Sequence, residues 1–123
     1  MKPSPGVFPP GVVLESSTGD GGSHYIRIKG TWDLVNRRDL AQVFVSVPDG
    51  VNVVVDVREV TYCDSTILTE FIRLHERLHG AGYRLEVILG TSDMRRLFSL
   101  MHLDKILAVR SDSARVYSLA NEP

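Results

Sequence analysis

The chain has a single cysteine, Cys63, so no internal disulfide can form and a fold that depends on oxidation is excluded. It has no apolar run near the ~20 residues that a membrane-spanning helix requires. It also lacks a basic excess. Lys and Arg total 14 against 15 for Asp and Glu, a formal net charge of −1, which removes the electrostatic footing for direct binding to nucleic acid or an anionic membrane. Met1 to Gly11 does not show the basic and then apolar order of a secretory signal, and a cytoplasmic location is expected. No G-x-x-x-x-G-K-[ST] occurs. Gly80-Ala81-Gly82 follows a helical pattern and precedes a strand pattern, the reverse of a dinucleotide loop, so no nucleotide or other cofactor is expected.

What is present is an ordinary globular balance over 123 residues, 43% hydrophobic and 24% charged, enough for one domain with one core. The Pro- and Gly-rich residues 1–11 read as a loose tail, residues 12–119 as the domain, and residues 120–123 as a frayed end. Within the domain, strand and helix patterns alternate. Val12 to Glu15 is a short apolar run, Ser16 to Ser23 a Gly- and Ser-rich hairpin loop, and Tyr25 to Lys29 an alternating strand. Asp33 to Val47 carries Leu34, Leu40, Ala41, Phe44 and Val45 near helical spacing. Val51 to Val55 is β-branched and nearly continuous, as in a strand buried on both faces.

A second helix is predicted from about Ser65 to His79, stopped by Gly80-Ala81-Gly82, with Leu68, Phe71 and Ile72 turned inward. Leu85 to Leu89 is a strand. Thr91, Ser92 and Asp93 can cap a third helix bearing Met94, Leu97, Phe98 and Met101. Ile106 to Val109 and Ser111 to Leu119 read as a last strand and a last helix. The expected fold is α/β: a mixed sheet with an N-terminal antiparallel hairpin, flanked by about four helices.

Three motifs bear on chemistry. His75-Glu76-Arg77-Leu78-His79 matches H-E-x-x-H, in which two histidines on one helical face hold zinc and the glutamate acts as base. A catalytic zinc normally takes three protein ligands. Leu85 stands where the longer pattern has its third histidine, and both histidines share a stripe with Leu68, Phe71 and Ile72, so a fortuitous match is expected. Cys63 reads as a small buried hydrophobe whose neighbour Asp64 raises its pKa, the opposite of a reactive thiol. Val60-Thr61-Tyr62-Cys63-Asp64-Ser65-Thr66 ends a β-rich stretch and opens a helix. Asp64 or Ser65 can cap that helix, and a hydroxyl at a helix N-terminus tolerates a phosphate.

The order of elements from Val12 to Leu119 resembles the STAS family of bacterial anti-sigma-factor antagonists. Gly30-Thr31-Trp32-Asp33 is similar to its G-x-x-D turn after the second strand. Val53-Val54-Val55-Asp56-Val57-Arg58-Glu59-Val60 is similar to its central strand with an acidic turn, and Gly82-Tyr83-Arg84-Leu85 to its entry into the next strand. Asp64-Ser65-Thr66 is similar to its D-S-[ST] phosphorylation loop. The chain departs from the family at Ile67, where glycine is usual.

The resemblance implies a non-enzymatic module that binds an anti-sigma factor, itself a Ser/Thr kinase, and so releases a sigma factor for transcription. Phosphorylation of Ser65, with Thr66 as the fallback acceptor, would end the complex, and a phosphatase would reset it. Asp33, Asp64, Ser65, Thr66 and Ile67 would form the partner face. Two other readings stand beside this one: a phosphorylation-independent STAS binding module in a signalling or transporter assembly, and, more remotely, a zinc hydrolase through His75, Glu76 and His79.

Overall fold

In the computed structural model, which describes residues 12–16, 23–90 and 92–111, the predicted alternation becomes one sheet with the strand order β1-β2-β3-β4-β5. The strands are β1 (Val12–Ser16), β2 (His24–Trp32), β3 (Val53–Cys63), β4 (Leu85–Leu89) and β5 (Ala108–Ser111). The helices are α1 (Arg37–Val45), α2 (Ser65–Gly80) and α3 (Ser92–Leu100), with a short 3-10 turn at Leu103–Lys105. β2, β3, β4 and β5 pair in parallel, each reached from the last through a helix. Successive right-handed crossovers that step the same way across a sheet place their helices on one face.

Burial follows that plan. Ile26, Ile28, Val53, Val55, Leu85, Val87 and Leu89 face Leu40, Phe44, Leu68, Phe71, Leu74, Leu78, Met94 and Phe98 in a single core. On α2, Leu68 and Phe71 are buried as expected and Ile72 is half-buried, while Ile67, Leu74 and Leu78 complete the inward stripe. On the opposite face Asp56 is only 1% exposed. Arg58 binds Oδ1 through Nε at 3.0 Å and its backbone N–H at 3.0 Å, and Oδ2 through Nη2 at 2.7 Å, and the Tyr25 hydroxyl also donates to Oδ2. Burial alone would raise this carboxyl, but the Arg58 and Tyr25 hydrogen bonds outweigh it and hold it below the usual range.

The expected architecture needs correction. The body of the sheet is a four-stranded, all-parallel unit, β2 to β5. Antiparallel pairing is confined to the five-residue edge strand β1, and the segment joining it to β2 lies outside the described residues, so a hairpin is not the organising feature. Among the described residues there are three α-helices rather than about four. Ser111 ends β5 instead of opening a helix; the rest of that expected helix, and both expected tails, lie outside the described residues.

Three boundaries also move, each for a local reason. β2 runs on through Gly30, Thr31 and Trp32, where the family resemblance implies a turn; Gly30, at φ +88°, takes the left-handed conformation and adjoins a register shift. α1 starts only at Arg37, because Asp33 and Asn36 bind the preceding turn. Asn36 Oδ1 accepts from the Asp33 N–H at 2.8 Å, Asp33 Oδ1 accepts from the Val35 N–H at 3.0 Å, and Asn36 Nδ2 donates to the Thr31 carbonyl at 2.8 Å. β3 extends to Cys63, well past Val55.

Gly90 fixes how β4 leaves the sheet. A Cβ there would lie 2.7 Å from both Cα and the carbonyl oxygen of Arg58 on β3. These are backbone atoms and cannot rotate away. Gly90→Ala is therefore expected to destabilise the fold by about 1–3 kcal/mol through overpacking. In urea titration the midpoint should fall at unchanged m; an unshifted midpoint would mean that the contact relaxes freely.

Candidate functional site

The β3–α2 junction brings the candidate residues together. The pairing of β2 with β3 sets Thr31 beside Tyr62 and Trp32 beside Cys63, and the Asp64 N–H donates to the Trp32 carbonyl at 3.3 Å. Asp64 is the N-cap of α2. Its Oδ1 accepts from the Thr66 N–H at 3.0 Å, the Thr66 hydroxyl at 2.5 Å and the Ile67 N–H at 3.3 Å. The Thr66 hydroxyl, working against a small burial effect and aided by the backbone N–H groups of Ile67, Thr66 and Leu34, holds this carboxyl below its ordinary value. The Asp64 N–H bond to Trp32 ties this junction to the end of β2, next to the β2–α1 turn.

Ser65, the first residue of α2, is exposed, and its hydroxyl has no hydrogen-bond partner among the described residues. The two candidate acceptors therefore differ: Thr66 is half-buried with its hydroxyl on Asp64, and Ser65 is open. Asp33 is half-buried, and its carboxylate is used within its own turn. Ile67 is fully buried at 0% exposure. It belongs to the core and presents no surface to a partner, so its expected place on the binding face is corrected; the branched side chain at the usual glycine position packs inward.

The surface around Ser65 contains residues absent from the sequence-derived list. Leu34 is 66% exposed, Val35 92% and Tyr62 54%, all on the two loops that Asp64 joins or on the strand leading into it. Leu34 carries an apolar signal that helical spacing assigns to the core of α1, but the turn at Asp33–Asn36 removes it from that helix.

Cys63 is buried, with its Sγ 3.5 Å from the Asp64 carbonyl, and burial, followed by the Asp64 charge, pushes the thiol up to about 12. That is an inert thiol at neutral pH. His75 is half-buried and His79 exposed, with rings stacked at 5.4 Å, so the stripe they share with the core is only partly covered. Among the described residues they join no group of three or more His, Cys, Asp or Glu side chains able to hold a metal. No described helix is long and apolar enough to cross a membrane.

Replacing the cap tests the junction. Asp64→Ala should cost about 1 kcal/mol, with both α2 N–H groups left uncapped. The pH dependence has a defined sign. Because the folded-state pKa is lowered, the charged cap contributes stability above the unfolded value and loses it as pH falls through the folded value. The gap between wild type and Asp64→Ala is thus expected to be widest near neutrality and to close in acid below the ordinary value of 3.8. A gap that stays constant through the acid range would remove the carboxylate from the account.

A small α/β module of this topology has clear structural relatives. An anti-sigma factor antagonist from Mycobacterium paratuberculosis superposes with a TM-score of 0.72 at 19% identity, over 94% of this chain and 100% of that one. The anti-sigma factor antagonist SpoIIAA in its unphosphorylated form superposes with a TM-score of 0.54 at 12% identity, over 89% of this chain and 96% of that one. At such identities the likeness is one of fold. No curated protein matches the sequence. Residues 17–109 match the family described as the Mlab, STAS domain, and the chain belongs to the STAS domain family.

Proposed function

We propose that this domain is an anti-anti-sigma factor, a binding module for an anti-sigma factor that is itself a Ser/Thr kinase, with Ser65 as the phosphorylated switch. The observation that carries the reading is the unequal state of the two hydroxyls: Ser65 is exposed and unbonded, whereas Thr66 is held by Asp64. In this scheme the bound kinase transfers the γ-phosphoryl group of ATP to Ser65 Oγ, ADP leaves, and the hydroxyl proton passes to a base of the kinase. The domain is the substrate and catalyses nothing. Leu34, Val35 and Tyr62 supply apolar contact, and Asp33 and Asp64 shape the two loops that present it. A phosphatase returns the domain to its binding state in the cytoplasm.

A second reading, a phosphorylation-independent binding module in a signalling or transporter assembly, draws on Ile67, which departs from the usual glycine directly after the loop. One experiment separates the two. The protein is incubated with its cognate anti-sigma kinase and ATP, and modified residues are mapped by mass spectrometry. Modification at Ser65 is expected; an active, demonstrably bound kinase that leaves Ser65 unmodified would favour the second reading.

A further inference from the structure

β4 pairs with β3 only over Val53–Asp56, and Gly90 then crosses against the Arg58 backbone. Beyond that crossing, Glu59–Cys63 has β2 on one side and no strand on the other among the described residues. Nor is any backbone group of this stretch hydrogen-bonded to β4, to α3 or to a side chain of either. Successive residues of a strand turn their N–H and C=O groups to opposite sides, so a row of unpaired donors and acceptors faces outward here. The residues that flank it are open: Glu59 and Thr61 are exposed, and Tyr62 is 54% exposed. The edge also leads directly to Asp64 and Ser65.

We infer that the Glu59–Cys63 edge of β3 is a docking site for a short, extended segment of a partner protein, which adds as a strand and lays an apolar side chain on Tyr62. Alternating main-chain donors and acceptors are matched by another extended backbone, the basis of strand addition. Natural edges are usually blunted with lysine, proline or a cover. This stretch has neither residue, and Val60, Thr61 and Tyr62 all favour extended structure. Its bulge limits the occupant. Gly30 pairs with Val60 and Thr31 with Tyr62, leaving Thr61 outside the register, so the edge twists away from a long flat strand and accepts a short one. The inference rests on the proposed binding role in one respect, that the exposed Leu34, Val35 and Tyr62 continue the same face.

The test uses the full chain and a defined probe. Random nonapeptides displayed on phage are selected on the folded protein, and the best is synthesised. Addition of that peptide to 15N-labelled protein is expected to slow amide exchange within Glu59–Cys63 selectively. Methylating alternate peptide nitrogens should weaken binding about tenfold for one alternating set, roughly the loss of a main-chain hydrogen bond, and little for the other. Protection elsewhere, a flat methylation series, or failure to select any peptide would overturn the inference. The two readings fail separately. A flat series, with partner affinity still lost on Ser65→Asp, removes the edge and keeps the switch. A mapped edge with Ser65 unmodified by a bound kinase does the reverse.

Discussion

Under the proposed switch, Ser65→Asp is expected to weaken binding of the anti-sigma partner by more than about a hundredfold, equivalent to ~3 kcal/mol, while the fold survives. The residue is exposed and its hydroxyl makes no hydrogen bond among the described residues, so the free domain loses no side-chain hydrogen bond when it is replaced. Adding charge there has a particular consequence. A helix N-terminus ordinarily welcomes an anion because its first N–H groups are unpaired. In α2 the Thr66 and Ile67 N–H groups are already taken by Asp64, whose own charge stands beside the incoming one. A phosphate, carrying about −1.5 to −2 charges at neutral pH, therefore stays turned to solvent, where water solvates it.

Closing a partner over that charge strips the water away, against a rim of Leu34, Val35 and Tyr62 that offers no compensating cation. Ser65→Ala, which adds no charge, should bind near the wild-type level, and the unfolding midpoints of both variants should stay close to wild type. Calorimetric titration of the kinase into each variant decides the matter. Ser65→Asp binding within a few-fold of wild type would show that charge at this position does not control the interface.

The D-S-T sequence was legible because it is local: a cap, a hydroxyl and a helix start lie on consecutive residues. The strand before it was not. From Val57 onward the buried positions of β3 are Val57, Val60 and Cys63, with two exposed residues between each. That repeat of three looks like neither the alternation of a strand nor a helix. Its cause is the pair of register shifts against β2, where β3 advances three residues for two and then two for one. Each bulge re-aims the side chains that follow, which brings Tyr62 out and Cys63 in. No periodicity argument on β3 alone contains this, since the bulge is defined only against its partner strand.

Leu34 was lost for a related reason. Its apolar character fits helical spacing with Ala41 and Val45, and only the side-chain hydrogen bonds of Asp33 and Asn36 take it out of α1. The core-facing stripe of α2, by contrast, follows from spacing within one helix, and Leu68 and Phe71 lie where that spacing puts them. Ile67 shows the limit of reading a motif as a surface. Its place in the loop sequence suggested contact with a partner, whereas the helical turn that Asp64 caps rotates it into the core.

Phe71→Ala should be among the most damaging single substitutions, costing about 3–5 kcal/mol of a total that is about 5–15 kcal/mol for a domain of this kind. Phe71 is 1% exposed in the middle of α2. Its ring meets Phe44 of α1 edge to face at 5.3 Å and 85°, and Phe98 of α3 in the same manner at 5.9 Å and 80°. One side chain thus joins all three crossover helices on the covered face of the sheet. Truncation removes the transferred apolar area and two aromatic contacts worth about 0.5–1.5 kcal/mol each. It also leaves a cavity bordered by three separate helices, which a shift of any one element cannot close. Phe71→Leu keeps most of the volume and should cost under about 1.5 kcal/mol. Because the rings are in contact, Phe44→Leu combined with Phe71→Leu should depart from additivity. Urea denaturation of Phe71→Ala, Phe71→Leu, Phe44→Leu and the double variant reads these values directly. Phe71→Ala costing no more than Phe71→Leu would show that the helices are held together elsewhere.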